Sequence, residues 1–82
     1  MTLKIYAIKD TKVGFMQPFY QTNNAVAIRS FTNAVNAEQT NNINQNLDDM
    51  ELWHLGEFND DTGEIKSDIQ YLCKANDVKR SM

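Results

Sequence analysis

Three short stretches of this chain carry side chains that could do chemistry. Asp61-Thr62-Gly63 spells the signature triplet of aspartic proteases, and a dimer of chains this short would suit that class. Those enzymes bury the aspartate so that two carboxylates share a proton. Here Asn59-Asp60 precedes the triplet and Glu64 follows it, which describes a solvated turn. Asp60, Asp61 and Glu64 offer oxygen ligands without the alternating set of a calcium loop, and Asp48-Asp49 reads as a loop end. His54 is the only histidine and has no Ser, Cys or carboxylate in an evident role beside it, so it reads as a structural histidine. Cys73 stands alone, which rules out an internal disulfide, and it reads as a small buried apolar group. These residues predict no enzyme, no metal and no cofactor.

The remaining chemistry is stacking. Lys4, Tyr6 and Trp53 are expected on one sheet face, with Lys66 on the neighbouring strand if register allows. Aromatics interleaved with cations hold single-stranded nucleic acid, each stacked base contributing about 1–3 kcal/mol. The same aromatics would serve a subunit interface. The chain has 8 Lys and Arg against 11 Asp and Glu, a net charge of −3. That balance disfavours tight non-specific binding to nucleic acid, and by residues alone it favours the interface. Lys4, Lys12, Arg29 and Lys66 are the ordered cations left for phosphate contacts, and Lys79 and Arg80 could add a mobile basic tail.

The elements that must position these groups follow from periodicity. Leu3 to Lys9 alternates as a strand, with Leu3, Ile5 and Ala7 on one side and Lys4, Tyr6 and Ile8 on the other. Asp10 to Lys12 starts a turn that Gly14 closes with a positive φ. Phe15 to Tyr20 is a second strand, which Pro18 confines to an edge or a bulge. Thr22, Asn23 and Asn24 are good N-caps for a helix over about 23–37, whose Ala27, Ile28, Phe31, Ala34 and Val35 share a face. Four of the ten asparagines fall at Asn41, Asn42, Asn44 and Asn46, a tract read as a mobile loop. Asp49 to Phe58 alternates as a central strand, and Gly63 suits the left-handed position of a bulged hairpin leading into a return strand from Glu64. Residues 69–75 fit strand or helix.

The expected architecture is therefore α+β: a small antiparallel sheet of about four strands with one amphipathic helix on one face. The domain is expected over residues 1–75, with 76–82 a flexible tail. Eighty-two residues bury a thin core, and with no disulfide or zinc cluster, oligomerisation is the remaining staple. Alternation puts Met50, Leu52 and Phe58 on one side of the central strand and Trp53 and Leu55 on the other. One helix covers one face, so the second face is left apolar and needs a partner: another copy, another protein or stacked bases. No apolar run approaches the roughly 18 residues that span a bilayer, and charge interrupts the amino-terminal run too early for a signal peptide.

Two blocks of residues resemble a known family. The first is Ile5-Tyr6-Ala7-Ile8-Lys9-Asp10-Thr11-Lys12-Val13, then Pro18-Phe19 and Ala25-Val26-Ala27-Ile28-Arg29-Ser30-Phe31. The second is Glu51-Leu52-Trp53-His54-Leu55-Gly56-Glu57-Phe58-Asn59-Asp60 with Thr62-Gly63. In order and spacing they resemble the short non-structural protein of Microviridae, small tailless single-stranded DNA phages, chiefly the gokushovirus branch. The resemblance covers about residues 3–65. It implies a DNA-binding accessory protein in the host cytoplasm, acting when replication switches to single-stranded genomes or when the genome is packaged. Its partners would be single-stranded DNA and phage or host replication and packaging proteins, and the two-sided apolar pattern independently predicts a homo-oligomer, a dimer in the simplest case. The resemblance carries no catalytic motif, and Arg29 is the charged helix residue it marks as a functional position. A protein adaptor that never touches DNA is the alternative.

Overall fold

The computed structural model describes residues 1–80 of the chain. Strand β1 (Thr2–Asp10) is followed by the short strands β2 (Gly14–Phe15) and β3 (Phe19–Gln21), helix α1 (Asn24–Val35), strands β4 (Met50–Asn59) and β5 (Ile65–Lys74), and the helical turn α2 (Ala75–Val78). The order β2-β1-β4-β5, with β3 also pairing β1, makes one antiparallel sheet of five strands that is α+β with its helices, as expected. The stretch read as one second strand is divided at Met16–Pro18 into β2 and β3. Both pieces lie along β1, because proline has no N–H to continue the ladder.

Local rules account for the ends of these elements. Asn23 caps α1 by accepting from the Val26 amide at 2.9 Å. Among the described residues Gly14 and Gly63 hold the two positive φ values, +133° and +78°, and Gly63 closes the β4–β5 hairpin by donating to the Asn59 carbonyl at 2.8 Å.

The core lies between the sheet and the helices. Tyr6, Ala27, Phe31, Val35, Met50, Leu52 and Ala75 are buried together, with Ile43 and Leu47 of the inter-helix connection packed against them. That connection, expected from its asparagines to be a mobile loop, is stitched by side-chain hydrogen bonds and packs Ile43 and Leu47 against the core. Asn41 Oδ1 accepts from the amides of Ile43 and Asn44, and its Nδ2 donates to the Ala34 carbonyl. Asn44 Nδ2 donates to the carbonyls of Ala37 and Gln39. A short amide side chain substitutes for a backbone turn, so the tract orders itself while Ile43 and Leu47 reach the core.

The expected boundary at residue 75 coincides with the start of α2. Ala75 is fully buried and Val78 packs against the core. Asn36, at the end of α1, donates to the Val78 carbonyl at 3.0 Å and accepts from the Arg80 amide at 2.8 Å. The rest of the expected tail, residues 81 and 82, lies outside the described residues.

Candidate nucleic-acid interface

Which side chains share a face follows from register, because directly opposed residues of an antiparallel pair lie on the same side. Tyr6 opposes His54 and Ile8 opposes Leu52, so these four face the helices. Ala7 opposes Trp53 and Lys9 opposes Glu51, so these face away. Between Ile5 and Tyr6 the register jumps from Gly56 to His54, leaving Leu55 as an extra residue in β4. The bulge reverses the phase of the strand. Phe58 now opposes Leu3 and joins Trp53 on the far face, contrary to simple alternation. A second shift leaves Leu72 extra in β5, so Cys73 turns toward the core while Tyr71 opposes Trp53.

The far face carries no helix, and its aromatics are grouped. Phe15 and Trp53 meet edge to face with centroids 5.8 Å apart, and Trp53 meets Tyr71 the same way at 5.6 Å. Lys9 Nζ lies 5.3 Å from the centroids of both Phe15 and Trp53, a double cation–π contact. Trp53 is oriented further by Nε1, which donates to Glu51 Oε1 at 3.0 Å. Toward the other end, Tyr20 and Phe58 pair at 6.0 Å. Phe15 is 47%, Tyr20 53% and Tyr71 45% exposed, so these rings offer faces or edges to a ligand while their neighbours hold them in place. Tyr71 has its phenol pKa raised by desolvation first, then by Asp77, Glu51 and Cys73, and stays neutral at physiological pH.

The residues expected to bind DNA fall on different surfaces. Trp53 is on the bare face. Tyr6 is not: it is fully buried beneath α1 and its hydroxyl donates to Asn24 Oδ1 at 2.6 Å. Alternation had correctly separated Tyr6 from Leu3, Ile5 and Ala7, but it could not say which set the helix would cover. Lys4 lies on Tyr6's side, opposite Glu57, which in turn opposes the exposed Lys66. Lys12 sits in the turn after β1, with Nζ 3.8 Å from Asp49 Oδ2. Arg29 is exposed on α1. The four cations therefore do not converge with Trp53. Lys9, Phe15 and Tyr71 take the places beside it, Tyr20 and Phe58 stand further along the same face, and only the bulge and the pairing register reveal them.

The other candidates for chemistry occupy structural positions. His54 is 4% exposed, stacks its edge against Tyr6 at 5.3 Å, and its Nδ1 lies 2.7 Å from the Asp68 carbonyl oxygen. A carbonyl only accepts, so that contact puts the proton on Nδ1. The histidine caps the backbone of β5 where the Leu55 bulge interrupts pairing. Burial and then Asp77 push the Cys73 thiol up, away from the thiolate a nucleophile needs. Asp60 and Asp61 face solvent and bind the amino terminus of Met1 at 2.7 and 3.3 Å. Among the described residues no group of three His, Cys, Asp or Glu could hold a metal, and no helix is long and apolar enough to cross a membrane.

Residues 3–78 match the model of a family described as Phage ORF5 protein. No curated protein and no solved structure matches the chain.

Proposed function

Because the chain belongs to the Phage ORF5 protein family and is a phage accessory protein, we propose that it binds single-stranded DNA on the bare face of its sheet. In this reading it is a non-structural, non-catalytic protein of a small single-stranded DNA phage of the Microviridae. It works in the host cytoplasm at the switch to single-stranded genome synthesis or at packaging, alone or within the replication complex, and self-associates. The observation that carries the reading is the array Phe15, Trp53 and Tyr71, with Lys9 against the first two rings. Stacking needs rings held in place with a π-face or edge free, and a cation nearby for phosphate. Lys9, Glu51 and Lys74 form one cross-strand row, so two lysines flank the array.

Trp53 is the only tryptophan, which makes it the reporter. Adding oligo-dT should quench its fluorescence saturably. The salt slope should be shallow, because each phosphate contact on a single strand contributes roughly 0.7 and only Lys9 and Lys74 flank the array. Lys9→Ala should reduce that slope, whereas Tyr71→Ala should cost about ten-fold in affinity with the slope kept. The other reading is a protein adaptor. Exposed Ile65 and Ile69 on the same face favour it, since aliphatic side chains suit a protein partner better than bases. Absence of both quenching and a mobility shift at low salt would leave the adaptor.

A further inference from the structure

Strand β5 is the open edge of the sheet. Its ten residues contain no proline, and residues 65–71 are all exposed. The opposite edge is broken at Met16–Pro18 into two short pieces, a common way of blunting an edge. Strand β5 is not broken in that way: the extra residue at Leu72 and the irregular step at Asp68–Ile69 leave it one continuous strand, in which Ile65 is 64% and Ile69 61% exposed. An unbroken edge with free backbone donors and acceptors is a template for another strand.

We propose that β5 pairs antiparallel with β5 of a second copy, about a two-fold axis at Ser67, to make one continuous sheet. Such an axis, perpendicular to the sheet, keeps each face on its own side, so the centre can move only from residue to residue. Centring on Lys66 opposes lysine to lysine, and centring on Asp68 opposes aspartate to aspartate, both unfavourable. Centring on Ile69 puts Asp68 against Gln70 and forms no ion pair. Centring on Ser67 puts Lys66 against Asp68 twice on one face and Ile65 against Ile69 twice on the other. The small serines meet at the axis. The charge row then alternates without a break, from Lys4 through Glu57 and Lys66 to Asp68 of the second copy.

This pairing rests on the self-association in the reading above and identifies its surface. It leaves the aromatic face open and joins two such faces edge to edge, with Tyr71 near the seam. The dimer would therefore offer one stacking surface of twice the width. A five-residue strand pair, residues 65–69 of each copy, buries less than the roughly 1,000 Å² expected of a stable interface, so the dimer should dissociate on dilution.

Sedimentation equilibrium of the full chain should show a monomer–dimer equilibrium between about 1 and 500 µM, in the weak range such an area implies. Lys66→Asp alone and Asp68→Lys alone should each weaken it at least ten-fold, and the double exchange should restore it. Unchanged circular dichroism would show each variant folded. Independently, Ser67→Cys in a Cys73→Ser background should oxidise to a covalent dimer, because opposed Cα atoms about 4.5–5.5 Å apart suit a disulfide. Ile69→Cys in that background should not, since its copies lie several residues apart. A chain that is monomeric throughout, a double exchange that fails to restore the dimer, or Ile69→Cys cross-linking in place of Ser67→Cys would overturn the proposal. Oligo-dT quenching by a monomeric charge variant would keep the DNA reading standing without the dimer. A dimer that leaves Trp53 unquenched would do the reverse.

Discussion

At Tyr6 the phenol is shut away from solvent and its hydroxyl donates to Asn24 at the first turn of α1. Tyr6→Phe should cost about 1 kcal/mol at neutral pH, the ordinary net value of one such bond. Burial raises the Tyr6 pKa above its usual value, so the unfolded chain gives up this proton first. Its share of stability is full below about pH 10 and is lost as pH rises through the folded value. Urea midpoints at pH 8 and pH 10.5 should therefore differ less for Tyr6→Phe than for the parent protein. An equal fall in both proteins would show that Tyr6 is not what titrates. Gly56 makes a separate demand. A Cβ there would collide with the Lys66 carbonyl oxygen and come within 3.3 Å of Ser67 Cα, both backbone atoms of β5. Gly56→Ala should destabilise by about 2–3 kcal/mol, because a strand and not a side chain would have to move. A loss under 0.5 kcal/mol in chemical denaturation would mean that β5 sits further from β4 at the bulge than described.

Elements of this chain fall into those written locally and those written by packing. Helix α1 begins one residue after Asn23 and ends at Val35, close to the span read from its N-cap and its apolar stripe. The hairpin at Gly63 was equally plain from Asn-Asp-Asp-Thr-Gly. The packing of the connection over residues 36–49 was not legible in composition, because asparagine counts there as polar, whereas its side chain acts here as a stitch. Asn41→Ala removes bonds to the Ile43 and Asn44 amides and to the Ala34 carbonyl. It should cost about 1–2 kcal/mol and speed amide exchange over residues 38–48 while the β1–β4 amides stay protected. Uniform loss of protection would show that loop and sheet open together.

Over the whole molecule, one helix, a helical turn and an asparagine-stitched connection all pack on the same side of the sheet. The opposite side is left with Leu3, Ile5, Phe15, Tyr20, Trp53, Phe58 and Tyr71. The two-sided apolar pattern of β1 and β4 already required such a face, and the class, the helix, the hairpin and the lone cysteine were legible in residue order. These are properties of neighbours in sequence: caps, turn glycines and a period of 3.6 or 2. Membership of the bare face is different in kind. An extra residue at Leu55 moves Phe58 across the sheet, another at Leu72 keeps Tyr71 beside Trp53, and helix docking takes Tyr6 out of reach. A bulge costs little locally and is fixed by how two distant strands align, so alternation within one strand cannot announce it. The amino-acid sequence thus determined that an aromatic face would exist, while tertiary pairing decided which aromatics stand on it and that Lys9, rather than Lys4 or Lys66, is the cation beside Trp53.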